Sequence, residues 1–287
     1  MIFQSLFMQT RKQFLKSASL LSAGLVLLPH HKLAGMKKVT NAGIQLYSFK
    51  DDMARNPQKT LEMIAKMGFK QIESAKSQLG HYYGLSAAEM KNHCTENGLT
   101  LRSGHVQVDE KWKDTLNEAE KSGQEFLVCS SMPTNGQTIL NYQKVAEKFN
   151  KAGSDCRKRG IKFGYHNHDY EFDTVNGKVL YDVLLTNTDP DLVHMELDLG
   201  WVIAAGKDPL LYFKNYPGRF PLWHLKDMNI AEKHSVELGQ GQLDIKSIFR
   251  EAKLAGMKYF FVEQEEFAHN PADSMKQNML YLNNLDY

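Results

Sequence analysis

Cysteine is scarce in this sequence: 287 residues contain three, Cys94, Cys129 and Cys156. Their spacing fits no metal motif, and an odd number argues against a complete disulfide framework. All three read as buried or inert thiols. Long apolar runs are missing as well. The best candidate, Ala18 to Leu28, is well short of the roughly 20 residues that span a bilayer, so no stable membrane span is expected. There is no basic run and no aromatic-basic interleaving, and the net charge is only +2. Nucleic-acid binding therefore has no electrostatic support. No Gly-x-Gly-x-x-Gly turn follows the first strand-like run, which disfavours a doubly wound dinucleotide-binding sheet.

The first 35 residues lack acid. They carry Arg11, Lys12, Lys16 and Lys32, and without those four charges the net +2 becomes −2, so the rest of the chain is nearly neutral. The basic stretch Thr10 to Lys16 followed by a short apolar run fits an export signal. It resembles the twin-arginine pattern Arg-Arg-x-Phe-Leu-Lys, with Lys12 in place of the second arginine. Lys32-Leu33-Ala34 before Gly35 is a weak cleavage site. Residues 1–35 are expected to be a signal peptide, which would place the protein in the periplasm or another extracytoplasmic space. An N-terminal amphipathic helix is the competing reading.

What is present is a recurring unit. From Lys38 onward, amphipathic helices end in glycine and apolar strands follow at once. Asn56 caps a helix from Pro57 to Lys66, with Leu61, Ile64 and Ala65 on one face and Gly68 as its stop. Ser86 and Glu89 form a capping box for the next helix, which ends near Gly98. Gly123, Gly160 and Gly256 precede further strands. Eight strands are expected near 43–49, 69–74, 99–105, 125–131, 161–168, 193–198, 220–226 and 259–264. Eight βα units in about 250 residues make an α/β (β/α)8 barrel, here a single domain over residues 38–287. The strands do not alternate cleanly, as expected where both faces are buried.

Polar residues collect at the ends of these strands. Gly164 to Phe172 reads GYHNHDYEF, and His166 and His168, two apart on a strand, should point the same way. Gln45, Glu73, His105, Glu196, Asp198, His224, Lys226, Glu263 and Glu265 occupy equivalent positions. In a barrel all would face the C-terminal mouth. Burying so many ionisable groups is costly unless they bind something. One candidate ligand per strand end on consecutive strands suggests a single divalent ion held by His166, Asp198, His224 and Glu263, with His168 the alternative to His166. Mixed histidine and carboxylate donors without cysteine suit Mn, Mg, Co, Zn or Fe alike.

At these residues the chain resembles the sugar phosphate isomerase/epimerase superfamily, the xylose isomerase-like TIM barrels, over about residues 40–287. The marks are the HNHDYEF strand, Asp-x-Gly-Trp at 198–201, His-Leu-Lys-Asp at 224–227, Gly-Gln-Gly-Gln-Leu-Asp at 239–244 and Val262-Glu263. The resemblance implies a metal-dependent sugar or keto-sugar isomerase or epimerase. Keto-sugar 3-epimerases of this superfamily bind one ion through Glu, Asp, His and Glu from the last four strands. Asp198, His224 and Glu263 match the last three, and His166 stands where the first glutamate would be. In those epimerases the two glutamates work on opposite faces of the substrate, so this departure disfavours two-base exchange. Inosose dehydratases and enzymes that eliminate across keto-sugars belong to the same superfamily, and several have a His-x-His strand here.

These enzymes share one first step, removal of a proton next to a carbonyl. Glu263 is the expected base, and His168 or Lys226 is expected to protonate the departing or returning oxygen. Glu73, His105, Glu196, Trp201 and Glu265 are expected to contact substrate. Tyr47, Trp201 and Trp223 are candidates for stacking on a sugar face, although for each of them core packing is the favoured role. The expected partner is a small-molecule sugar or keto-sugar, with self-association left open. Keto-sugar lyase or hydratase chemistry is the close alternative, and a carbohydrate-binding barrel without catalysis is another. A DNA-repair endonuclease of the superfamily would need a multi-metal cluster and a basic surface, which this chain does not offer.

Overall fold

A computed structural model describes residues 38–287. The export segment expected over residues 1–35 lies outside the described residues. Eight parallel strands close into a barrel: β1 (Gly43–Gln45), β2 (Gln71–Ser74), β3 (Thr100–Val106), β4 (Phe126–Cys129), β5 (Lys162–His166), β6 (Val193–Asp198), β7 (Leu222–Leu225) and β8 (Tyr259–Val262). Each strand pairs with its sequence neighbours, and β8 closes on β1. All eight strands fall within or close to the expected segments. The first ends sooner, because the Gln45 side chain accepts the Tyr47 N–H and the chain turns into a 3-10 helix at Leu46–Phe49.

Local chemistry explains the helix boundaries. Asn56 accepts the Lys59 N–H to start helix Pro57–Lys66, whose Leu61 and Ile64 are buried. Ser86 and Glu89 exchange bonds in a complete capping box before helix Ala87–Glu96. Helix Trp112–Ser122 stops at Gly123, whose φ of 71° is left-handed and suits glycine. Two small hairpins were not expected: Thr174–Val175 with Lys178–Val179, and Asp227–Asn229 with His234–Val236.

Inside the barrel Phe126, Val128, Leu222 and Phe261 form a dry plug. Outside it, aromatic and aliphatic residues pack strands against helices. Trp223 belongs there: it is fully buried and stacks on Phe213, so it is a core residue and not a sugar platform. Cys94, Cys129 and Cys156 are free and buried, and burial pushes the Cys129 thiol up to about 11. Among the described residues no helix is long and apolar enough to cross a membrane.

Candidate active site at the barrel mouth

Register builds the site. Pairing places Gln45 beside Glu73, His166 beside Glu196, and Asp198 beside His224. The strand ends thus bring together residues as far apart as 45 and 263 in the sequence. His166, Asp198, His224, Lys226 and Glu263 are all buried.

Two pools of charge meet on the imidazole of His224. Its Nδ1 lies 2.9 Å from Glu263 Oε2 and 3.7 Å from Asp198 Oδ2. Its Nε2 lies 2.6 Å from Glu73 Oε1 and 3.3 Å from Glu196 Oε2. His166 bridges the same pools: Nε2 is 3.8 Å from Asp198 Oδ2 and Nδ1 is 3.4 Å from Glu196 Oε2. His105 Nε2 contacts Glu196 at 2.8 Å and Glu73 at 3.3 Å.

Lys226 is the fixed cation. Its Nζ contacts Asp198 Oδ2 at 2.9 Å, Glu263 Oε2 at 2.8 Å and Glu265 Oε1 at 2.5 Å, and lies 4.9 Å from the Trp201 ring centre. The Asp-x-Gly-Trp motif has a local cause. Asp198 Oδ1 caps the following short helix by accepting the Trp201 N–H, which leaves Oδ2 for cations. A Cβ on Gly200 would stand 2.8 Å from the Lys226 carbonyl oxygen and 2.9 Å from its Cγ, so only glycine lets the two segments approach.

Electrostatics sort these groups by role. Burial alone would raise Glu263 and Asp198, but Lys226 and His224 hold both below the ordinary carboxylate range. Burial likewise opposes ionisation of Glu73, yet His105 and His224 keep it low. Glu196 is different: burial, and then the charge of Glu73, push it up to about 7. His105 rises to about 9 against its burial because Glu73 and Glu196 face it. His166 is driven well down by burial and the neighbouring His224. His168 falls to about 4 through burial and Lys226, so it is neutral at pH 7.

A cavity of about 230 Å³ opens above this layer, lined by Tyr47, Lys76, His105, His166, His168, Glu263 and Glu265 among others. Although β5 ends at His166, His168 still reaches the cavity, with its ring 5.0 Å from that of His166. Of the residues expected to contact substrate, His105 and Glu265 line the cavity. Glu73 and Glu196 do not. Both are completely buried; Glu73 Oε1 is taken by His224 and Glu196 Oε2 by His105, while the second oxygen of each has no hydrogen-bond partner. Their physical role is to orient histidines, with Glu73 itself held by Gln45 Nε2 at 2.8 Å. Trp201 is half-buried and faces Lys226.

Three contributors escaped the sequence reading. Lys76, just beyond β2, lines the cavity and bonds Gln107 at 2.5 Å. Asn167 accepts the Asp198 N–H through its side chain, tying β5 to β6. Asp227, read only as part of a motif, accepts the N–H groups of Met228, Gly239, Gly241 and Leu243, clamping the 239–244 loop. Nothing in the sequence pairs residue 227 with that loop.

The donors suit a divalent ion. Asp198, His224 and Glu263 each offer one atom, and these atoms lie within 4.8 Å of one another, as do those of His105, His166, Glu196 and His224. Neighbouring ligands about 2.0–2.2 Å from an ion stand roughly 3–3.5 Å apart, close to these separations. Lys226 shows that the outer pool already stabilises positive charge. Buried His166 Nδ1 and Glu196 Oε1 have no hydrogen-bond partner.

A closed eight-stranded parallel barrel with ionisable side chains gathered at its C-terminal mouth is the TIM-barrel architecture. The family described as Xylose isomerase-like TIM barrel matches residues 61–285, and the chain belongs to it. An inosose dehydratase of Lacticaseibacillus casei is 26% identical over 161 residues, covering 49% of this chain and 53% of that protein. The chain thus spans about half the length of the curated relatives it matches. A sugar phosphate isomerase/epimerase of Parabacteroides distasonis superposes with a TM-score of 0.76 at 26% identity, over 85% of this chain and 94% of that one. A zinc-bound IOLI protein shares the fold at 14% identity and a TM-score of 0.68, over 84% and 97% of the two chains.

Proposed function

We propose that the chain is a divalent-metal-dependent enzyme that removes a proton beside the carbonyl of a sugar or keto-sugar. The resulting enediolate then goes to an isomerised or β-eliminated product, not to an epimer. One observation carries this reading: Glu263, ionised and fixed by His224 and Lys226, is presented to the cavity beside the candidate ligand cluster.

Asp198, His224 and Glu263, which lie together, would hold the ion, with His166 from the adjoining group, its Nε2 3.8 Å from Asp198 Oδ2, as the fourth ligand; the ion would supply Lewis-acid polarisation of the carbonyl. Glu263 takes the proton. Lys226, held charged by three carboxylates, donates hydrogen bonds toward the developing negative charge. His168, neutral and at the cavity wall, donates a hydrogen bond to the departing or returning oxygen, which regains the proton that Glu263 took.

Glu263 and Glu265 are the carboxylates that line the cavity, so a second carboxylate base on the opposite substrate face has no supplier there. His166 occupies the β5 position, and a ligated imidazole has its lone pair committed. Glu196 lies below the cavity, and Glu265 is tied to Lys226 on the same side as Glu263. The dehydratase name of the L. casei relative supports the eliminating branch.

The test is incubation with a keto-sugar panel in D₂O, read by mass spectrometry and NMR. Loss of mass or a shifted carbonyl is expected. Clean inversion at the α-carbon with deuterium incorporation and no other product would overturn the one-base reading. A protein that binds sugar without turnover or a stoichiometric ion would be a carbohydrate-binding barrel. Export completes the proposal: mature protein from the native host should begin after residue 34, and N-terminal sequencing that finds Met1 would refute it.

A further inference from the structure

The mouth cavity does not end at the ionisable cluster. A second cavity of about 300 Å³ adjoins it, lined by Lys50, Asp51, Asp52, Arg55, Phe267 and Asn270 among others. Tyr47 and Glu265 line both, so the two lobes adjoin across these side chains and would together accept a ligand that passes between them. Small-molecule sites usually measure about 300–1,000 Å³. The first lobe alone falls below that range at about 230 Å³, and the two lobes together fall within it.

The lining of the second lobe selects its occupant. Tyr47 is 37% exposed at the junction, with Lys50 Nζ over one side of its ring, and Phe267 is half-buried farther out, so two aromatic side chains line the lobe that a sugar ring would enter. Asp51, Asp52, Arg55 and Asn270 provide planar polar groups around them, the combination that fits a hydroxylated ring. Phosphate fits poorly. Asp51, Asp52 and Glu265 outnumber Lys50 and Arg55 in this lobe. Arg55 Nη2 already donates to Asp52 at 2.6 Å, and Lys50 Nζ rests 4.4 Å from the Tyr47 ring centre. In the first lobe Lys76 is engaged by Gln107, and Glu263 and Glu265 face the space.

We infer that the second lobe is a subsite for a second sugar ring. The substrate class is then an unphosphorylated disaccharide whose reacting ring sits at Glu263 and whose other ring lies between Tyr47 and Phe267. This rests on the sugar reading of the mouth and deepens it.

Saturation-transfer NMR tests it with maltose, cellobiose, lactose and trehalose, against glucose, galactose and glucose 6-phosphate, with any turnover followed in the same spectra. At least one disaccharide should bind about tenfold tighter than its component monosaccharides and the phosphate, with saturation reaching both rings. Arg55→Ala and Phe267→Ala, checked for folding by circular dichroism, should each erase most of that advantage. Equal binding of monosaccharide and disaccharide, or tighter binding of glucose 6-phosphate, would overturn the second subsite while leaving the sugar reading intact. No binding by any of these sugars would overturn the second subsite, while the sugar reading of the mouth stands or falls on turnover of the keto-sugar panel.

Discussion

Two layers of the barrel interior lie one step apart and obey different rules. The lower layer is Phe126, Val128, Leu222 and Phe261. The upper layer begins two residues farther along the same strands: Leu222 is followed by His224, and Phe261 by Glu263. Strand periodicity keeps each pair on one face. Below, stability needs only volume and contact. Above, each charge must find a partner, and each partner comes from a different strand. The lower layer can therefore tolerate compensating apolar swaps, whereas the upper layer is a network in which one change strands several groups.

The sharpest way to break this contrast is Glu263→Gln. An amide cannot take the substrate proton, so turnover should fall roughly a thousandfold, within the usual range for a general base, while the fold persists. Metal content must be measured on the variant, and substantial activity with the ion bound would refute the assignment.

Lys226→Met asks whether the upper layer depends on its own cation. Asp198, Glu263 and Glu265 would lose their common partner. Removing one member of a buried ion pair costs about 3–5 kcal/mol, read by urea unfolding in chelator. Part of the loss should return with saturating Mn²⁺, because a dication can neutralise the same carboxylates. A loss under about 1 kcal/mol would show that the network does not rely on this lysine.

Phe261→Ala probes the lower layer. It should cost about 3–5 kcal/mol through the cavity it leaves, yet preserve divalent-ion stoichiometry. Loss of the ion in a folded variant would mean that the two layers are not separable. The smallest effect is expected far from both: Ser86→Ala removes the capping box of helix Ala87–Glu96 and should cost about 1 kcal/mol with activity unchanged. A change in activity there would break the assumption that function is confined to the upper layer.

How much was legible depended on the range of the interactions. Asn56, Ser86, Glu89 and the glycine stops are short-range signals, and each acts within four residues of where it is read. Strand-end ligands were legible because one polar residue ends each apolar run. The roles of Glu73 and Glu196 were not. A carboxylate at a strand end looks the same whether it faces the cavity or a histidine beneath it. Lys76 and Asn167 lie in loops, where no periodicity marks direction.

The sequence by itself determined the barrel, its eight strands and the set of ionisable residues at one end, because helix caps and apolar runs act locally. Only the tertiary structure decided which of those residues touch. Barrel closure pairs β8 with β1, and a register slip between β2 and β3 sets Glu73 opposite Ser103, so that Glu73 meets His224 across 151 positions of sequence. Pairing register and side-chain direction across strands come from packing the whole chain at once, and no stretch of sequence contains them alone.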